Sequence, residues 1–403
     1  MAVLKFHEAR DLVFQKARQW RALPPPEIVS LLESSGRVLA GPIDADRDLP
    51  PFPRATRDGF ALRSADVAKP PARLRILGQV KAGECFAGSI GAGECVEIMT
   101  GAPVPEGADA VVMVEHTTPK GDWVEVGRSL EPGENVVRRG SEARQGDRLL
   151  GQGRRIGYAE IAMMAAVGKP TVAVYPKPRV AILPTGDEVV EVGVEPGPYQ
   201  IRNSNSYSLQ AQVAAAHGVA VPLGIAPDRE DRLREMVAEG LRSDLLLVSG
   251  GVSAGKYDLV EQVLAGFEAE FFFDGVLIQP GRPLLFGRAT GTFFFGLPGN
   301  PLSTMVTFEL FVRPCLQLLA GEDFAPSPLL RARLGQDLRR KPGLASFLPA
   351  VLSGGSDDPT VTPVEWRGSG DLASLTRANC YLAIPEESSE LRAGDWVGVL
   401  LRD

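Results

Sequence analysis

The chain has 403 residues and a net charge of −7, with 44% apolar and 23% charged residues. That length exceeds one ordinary hydrophobic core, so about two to four domains are expected, and a near-average globular composition excludes global disorder. The acidic balance and the lack of a Lys/Arg run exclude a ligand read through a nucleic-acid backbone, leaving a small molecule as the expected partner. Four cysteines (Cys85, Cys95, Cys315, Cys380) without a Cys-x-x-Cys pair, and three scattered histidines, exclude a structural zinc site. The first residues carry no basic stretch followed by an apolar one, and no run approaches the ~20 apolar residues of a membrane span. A reduced, cytoplasmic protein with no membrane partner is expected.

In chain order, residues 7–19 carry apolar positions at helical spacing, and Pro24 to Pro26 introduce a second expected helix over 26–34. From 46 to 139 short apolar runs (Leu74 to Val80, Glu94 to Met99, Ala110 to Val114, Trp123 to Val126) are cut by Gly and Pro, which predicts an inserted small β domain. Residues 156–167 return to helix. Segments 1–45 and 140–177 are therefore expected to form one discontinuous helical domain.

Between 178 and 325 strands and helices alternate: strand Val180–Leu183, helix 204–217, strand 219–225, helix 229–242, strand Leu245–Val248, helix 258–267, strands near 271–278 and 284–288, and a long helix after Asn300. This order predicts an α/β domain with a mostly parallel sheet covered on both faces, whose ligands bind beyond the strands' carboxyl ends. Residues 326–403 are strand-like, and a small β-barrel is expected. The fold class is thus multidomain α/β plus β.

Three glycine-containing turns follow predicted strands: Pro184-Thr185-Gly186-Asp187-Glu188, Ser249-Gly250-Gly251-Val252-Ser253, and Gly296-Leu297-Pro298-Gly299-Asn300-Pro301. Glycine there tolerates positive φ and leaves backbone N–H groups accessible. Asn300 and Pro301 suit the N-cap and first position of a helix, whose positive end attracts anions. One such turn alone reads as a strand-to-helix connection; three on one sheet edge point to a phosphate-bearing or otherwise anionic ligand. No dinucleotide or P-loop fingerprint is present. Asp187, Glu188, Asp228 and Asp258 fall at strand ends, where carboxylates can hold Mg²⁺ between phosphate groups, although Asp228 and Asp258 are also placed to cap helices. Asp58 and Thr100 lie in the β insertion and by composition read as turn residues.

These strings resemble a known family. Gly296-Leu297-Pro298-Gly299-Asn300-Pro301-Leu302-Ser303, Leu183-Pro184-Thr185-Gly186-Asp187-Glu188, Ser249-Gly250-Gly251-Val252-Ser253, Met99-Thr100-Gly101-Ala102 and Asp109-Ala110-Val111-Val112-Met113-Val114-Glu115 are similar to the MoeA family of molybdopterin molybdenumtransferases and to the C-terminal domain of gephyrin. The resemblance implies a four-domain homodimer whose cleft joins the α/β domain of one subunit to the β insertion of the other. It implies Mg²⁺-dependent insertion of molybdate into adenylylated molybdopterin with release of AMP, and makes the upstream adenylylating enzyme a candidate partner. By motif, Asp58, Thr100, Glu188, Asp228 and Asp258 would be catalytic, and Glu188, Asp228 and Asp258 would hold the metal. Thr185, Gly250, Gly251, Ser253, Pro298, Asn300 and Pro301 would shape the pocket, with Arg282, Ser303 and Ser369 receiving the oxyanion.

The chain departs from the family pattern at several cations. Gly275 and Gln279 stand where lysines are usual, with Arg282 kept; Val137 replaces an Arg and Glu142 an Asp; and the stretch around Leu344 lacks arginines. Fewer cations weaken attraction for a dianion unless a metal or another arginine substitutes. A tungstate-selective or weakly active paralogue, and a non-catalytic molybdopterin-binding scaffold, are the alternatives that follow.

Overall fold

Runs such as Ala181-Ile182-Leu183 and Leu245-Leu246-Leu247-Val248 are completely buried, as strands are when both faces of their sheet are covered. In the computed structural model, which describes residues 3–20, 22–251, 259–323 and 329–402, they form the middle of a six-stranded sheet. Its order is Val219–Pro222, Arg179–Pro184, Leu245–Ser249, Thr292–Leu297, Leu285–Ala289, Glu270–Phe273. The first four strands are parallel; Leu285–Ala289 runs opposite to them, and the edge strand Glu270–Phe273 pairs antiparallel with it. Helices Ser204–Ala215, Glu230–Gly240 and Leu259–Ala265 match the predicted positions within a few residues.

The long helix spans Pro301–Leu319, with a π-helical turn over Phe308–Val312. Pro314 cannot donate to the carbonyl four residues back, which accounts for the irregular turn ahead of it. By length and composition these 19 residues could cross a membrane, yet 72% of the window is buried inside the protein. It is the central core helix.

One face of the sheet carries an aromatic cluster. Phe286 stacks on Phe295 with centroids 4.6 Å apart and on Phe293 at 5.7 Å. The opening helix, Phe6–Trp20, buries Ala9, Val13, Phe14 and Ala17 against this same core, and Lys16 lies over the Trp20 ring at 4.4 Å. It therefore packs with the α/β core and not with the helix Tyr158–Ala166, whose Met164 belongs to a separate cluster with Leu39, Ile156 and Val174.

The expected helix over 26–34 is a strand instead. Glu27–Ser30 pairs antiparallel with Thr171–Val174, and Val38–Leu39 pairs with the same strand's end. β-Branched Ile28 and Val29 suit a pleated surface, and their partner lies some 140 positions along the chain, beyond the reach of local periodicity. The segments flanking the β insertion do rejoin, but as a small sheet with one helix.

The β insertion has a six-stranded sheet in the order Thr117–Lys120, Trp123–Val126, Ala72–Val80, Glu94–Ile98, Gly59–Leu62, Ala110–Met113. In the C-terminal part, strands Ala345–Ser353, Thr360–Pro363, Leu330–Leu334, Trp396–Leu401 and Cys380–Ile384 close on themselves because the first and last also pair. A short helix, Leu372–Arg377, interrupts the strands there.

Replacing the fully buried Phe286 by Ala is expected to cost about 3–5 kcal/mol, read as a lower urea midpoint for the α/β unit. A loss under ~1 kcal/mol would show that the aromatic cluster does not hold this sheet.

Candidate active site

Parallel pairing aligns the strand ends. Pro184 stands opposite Ser249, and Ser249 opposite Leu297, so the residues that follow each strand emerge side by side. Backbone bonds lock them: Thr185 N–H donates to Ser249 O at 2.9 Å, Gly186 N–H to Ala226 O at 3.2 Å, and Gly250 N–H to Leu297 O at 3.2 Å. The predicted gathering of the three turns on one edge is what the chain forms.

They enclose a cavity of about 370 Å³ lined by Thr185, Glu188, Gly250, Gly251, Pro298, Asn300 and Pro301, all of them residues read from the sequence. Four cavities are larger: about 750 Å³ beside Phe347, about 820 Å³ beside Glu322, about 500 Å³ beside Arg367 and about 490 Å³ beside Arg234, and none is lined by the three strand-end turns. Position and chemistry, not size, therefore identify the candidate. Ser249, the first residue of the second turn, also lines it; sequence reasoning missed Arg202, Asn203 and Asn205, which do so too. Arg202 is the one cation among the described lining residues. Nothing in Ile201-Arg202-Asn203-Ser204-Asn205 separates these residues from an ordinary helix start.

The helix N-terminus differs from the expected anion site. Asn300 holds the N-cap position without a side-chain cap bond; its Nδ2 donates instead to Ser369 Oγ at 2.8 Å. Pro301 has no N–H, and Leu302 N–H donates to Ser369 O at 3.0 Å. Part of the dipole end thus binds the C-terminal segment, which a sequence reader cannot see because Ser369 lies about 70 residues away. Ser369 borders the cavity through Asn300, whereas Ser303 is only 3% exposed and does not line it. Arg282 is exposed beside Pro283, itself a lining residue.

Acidic groups crowd the rim. Asp228 N–H donates to Asp187 Oδ1 at 3.1 Å. Desolvation and the carboxylates of Asp187 and Glu188 raise Asp228 above the usual aspartate range. Asp228 is not the helix cap: Arg229 holds that position, without a side-chain cap bond. Asp258 and Ser253 lie outside the described residues. Among the described residues no three His, Cys, Asp or Glu side chains close into a metal cluster.

Asp58 and Thr100 do not line this chain's cavity. They form a unit of their own: Thr100 donates its N–H and its hydroxyl to Asp58 Oδ1, each at 2.7 Å. Those bonds, the backbone one foremost, hold the Asp58 carboxyl below its usual range.

The departures from the family pattern have local causes in two places. Gly275 is buried in a parallel pairing with Val3, and a Cβ there would stand 3.2 Å from Val3 Cγ2, a tight contact that the Val3 side chain would have to relieve. Glu142 accepts from Arg54 at 3.0 Å, and Val137 pairs with the same Arg54 across a two-stranded ladder. Gln279 is exposed and pairs with Ser346 of the barrel. For the arginine-poor stretch around Leu344 the structure gives no reason.

Residues 4–168 match the family described as MoeA N-terminal region (domain I and II). Residues 181–318 match the Probable molybdopterin binding domain, and residues 331–401 match the MoeA C-terminal region (domain IV). The chain is 33% identical over 384 residues to the molybdopterin molybdenumtransferase of Bacillus subtilis, covering 93% of this chain and 89% of that protein. It is 32% identical to the enzyme of the same name from Staphylococcus aureus, covering 94% and 92%. The crystal structure of the molybdopterin biosynthesis moeA protein from Pyrococcus horikoshii superposes with a TM-score of 0.84 at 30% identity over the whole of both chains.

The Asp58–Thr100 unit makes a pH-dependent prediction. A carboxyl held below its unfolded value of 3.8 contributes stability that is complete above that value and lost as pH falls through the folded one. The melting-temperature gap between wild type and Asp58→Ala is therefore expected to be constant near neutrality and to shrink below pH 3.8. A gap that widened on acidification would contradict these bonds.

Proposed function

The chain belongs to the MoeA family of molybdopterin molybdenumtransferases, transferases of molybdenum cofactor biosynthesis, and from that premise we propose that it inserts molybdate into adenylylated molybdopterin with Mg²⁺-dependent release of AMP. The observation that carries this reading is the convergence of three strand-end turns on one polar cavity with a carboxylate rim.

The donor set fits Mg²⁺. This ion is held by one or two carboxylates while substrate phosphates and water supply its other ligands, and the desolvation and carboxylate crowding that together raise Asp228 are offset by a divalent cation. Glu188 and Asp228 would hold it, with Asp258 as the third expected ligand; when bound, it neutralises charge on a phosphoanhydride. The chain's own residues position the substrate. Arg202, on the lining, and Arg282, beside it, supply cations for phosphate and oxyanion, which offsets the lysines lost at Gly275 and Gln279. Pro298, Gly299 and Asn300 form one wall and Gly250 and Gly251 another, so backbone approaches the ligand closely. The work is electrostatic placement with little side-chain proton transfer.

Asp58 and Thr100 act, on this reading, in the cleft of a second subunit. Their absence from the cavity of their own chain and their exposed position in the β insertion support a homodimer with shared sites. A non-catalytic scaffold has no use for an acidic rim beside the pocket, so the enzyme is the preferred reading.

Purified protein given adenylylated molybdopterin, Mg²⁺ and either molybdate or tungstate is expected to release AMP, and the faster oxyanion identifies the metal. Tight binding without release would favour the scaffold. Asp58→Asn and Glu188→Gln are each expected to lose about 100-fold or more in release. Co-refolding the two inactive variants is expected to recover up to about a quarter of wild-type activity, because half of the dimers are mixed and each mixed dimer holds one intact site. No recovery would contradict sites shared between subunits.

A further inference from the structure

Asn205 stands in the first turn of the helix Ser204–Ala215 and is only 9% exposed. Its Nδ2 donates to Ser249 Oγ at 3.0 Å and to Gly299 O at 2.8 Å, tying together the turns after two adjacent strands. A backbone carbonyl can only accept, so the nitrogen end of this amide is fixed against Gly299 and its oxygen end against the opposite side. That Oδ1 is buried and has no hydrogen-bond partner among the described residues. Thr185 Oγ1, on a residue 4% exposed, is in the same condition. Both residues line the cavity.

The turn after Ser249 keeps this floor open. Gly250 and Gly251 have φ of +92° and +65°, and a Cβ on Gly251 would stand 2.9 Å from Thr185 Oγ1. Buried polar atoms are nearly always paired, and one left unpaired on a residue that lines a cavity is an acceptor that a bound group can satisfy.

We infer that Asn205 is a specificity-determining residue whose Oδ1 accepts an N–H from the exocyclic 2-amino group of the ligand's heterocycle, selecting the amino-substituted pyrimidine edge of a pterin over an oxo-substituted one. This rests on the pterin reading of the cavity. A neutral amide oxygen repels phosphate and molybdate oxygens, so the anionic end of the ligand lies elsewhere, toward Arg202, the cation on the lining. The carboxylates at the rim supply the charge that a cation requires, whereas Asn205 and Thr185 bring none. What an uncharged acceptor beside a hydroxyl recognises is a neutral N–H donor. A site built to bond such a group discriminates strongly against an analogue lacking it, because the acceptor then stays buried and unpaired.

The test uses two fluorescent probes, pterin-6-carboxylate and lumazine-6-carboxylate, which differ by a 2-amino against a 2-oxo group, titrated into the full-length protein. Wild type is expected to bind the pterin about tenfold or more tightly than the lumazine. Asn205→Ala, checked for folding by its urea midpoint, is expected to bind both equally. The wild-type comparison needs no variant and stands even if that one fails to fold. Equal affinities in wild type, or a preference kept in folded Asn205→Ala, would overturn the inference and leave the proposed function intact. A preference that vanished on removing divalent cations would assign Oδ1 to a metal and overturn it equally. Binding of neither probe would overturn the inference together with the pterin reading.

Discussion

Parallel strand pairing is the constraint on which the site depends. Residues opposite one another in register, Pro184 with Ser249 and Ser249 with Leu297, force the three following turns to leave the sheet at one level. Glycines then let backbone approach backbone: a Cβ on Gly250 would lie 2.8 Å from Thr185 O. Because both faces of the sheet are buried, a slip of one residue would exchange the side chains packed in the two cores and misfit both. The register is therefore held by the whole core, and the cavity inherits its rigidity from the aromatic cluster and the Pro301–Leu319 helix. Sites carried on rigid elements keep their geometry better than sites built from loops alone.

The second structural tie runs across domains. Ser369, from the C-terminal segment, accepts from Leu302 N–H and from Asn300 Nδ2, so the start of the core helix is fastened to the segment that carries the barrel. Ile278–Gln279, just ahead of the turn bearing Arg282, adds a strand to the barrel sheet beside Ala345–Ser353. Among the described residues neither connection puts a barrel residue on the cavity lining. The division of labour follows: strand-end turns and the Asn205 helix form the floor, and acidic residues the rim.

Much of this was legible in the sequence because local pattern and tertiary environment agree. Alternating apolar strands and amphipathic helices gave the α/β domain, and glycines after strand ends located the cavity wall. Legibility failed where a distant partner decides. Glu27–Ser30 is a strand because Thr171–Val174 accepts it. The aromatic strand Thr292–Leu297, with Phe293-Phe294-Phe295 at its centre and strong β propensity, lies outside the strands predicted for the α/β domain, which stop at 288. Asn300 was expected to cap its own helix and is drawn away by Ser369. Asn205 was silent for a different reason: its importance lies in which amide atom stays unpaired, and that is a property of coordinates, not of a string.

Hydrogen–deuterium exchange on the full-length protein, with and without adenylylated molybdopterin, tests the shared cavity most directly. Backbone amides of 184–188, 201–205, 249–251 and 297–302 are expected to become protected together at the same ligand concentration. Protection confined to one of these segments, or centred on the larger cavity beside Phe347, would contradict a single pocket at the strand ends.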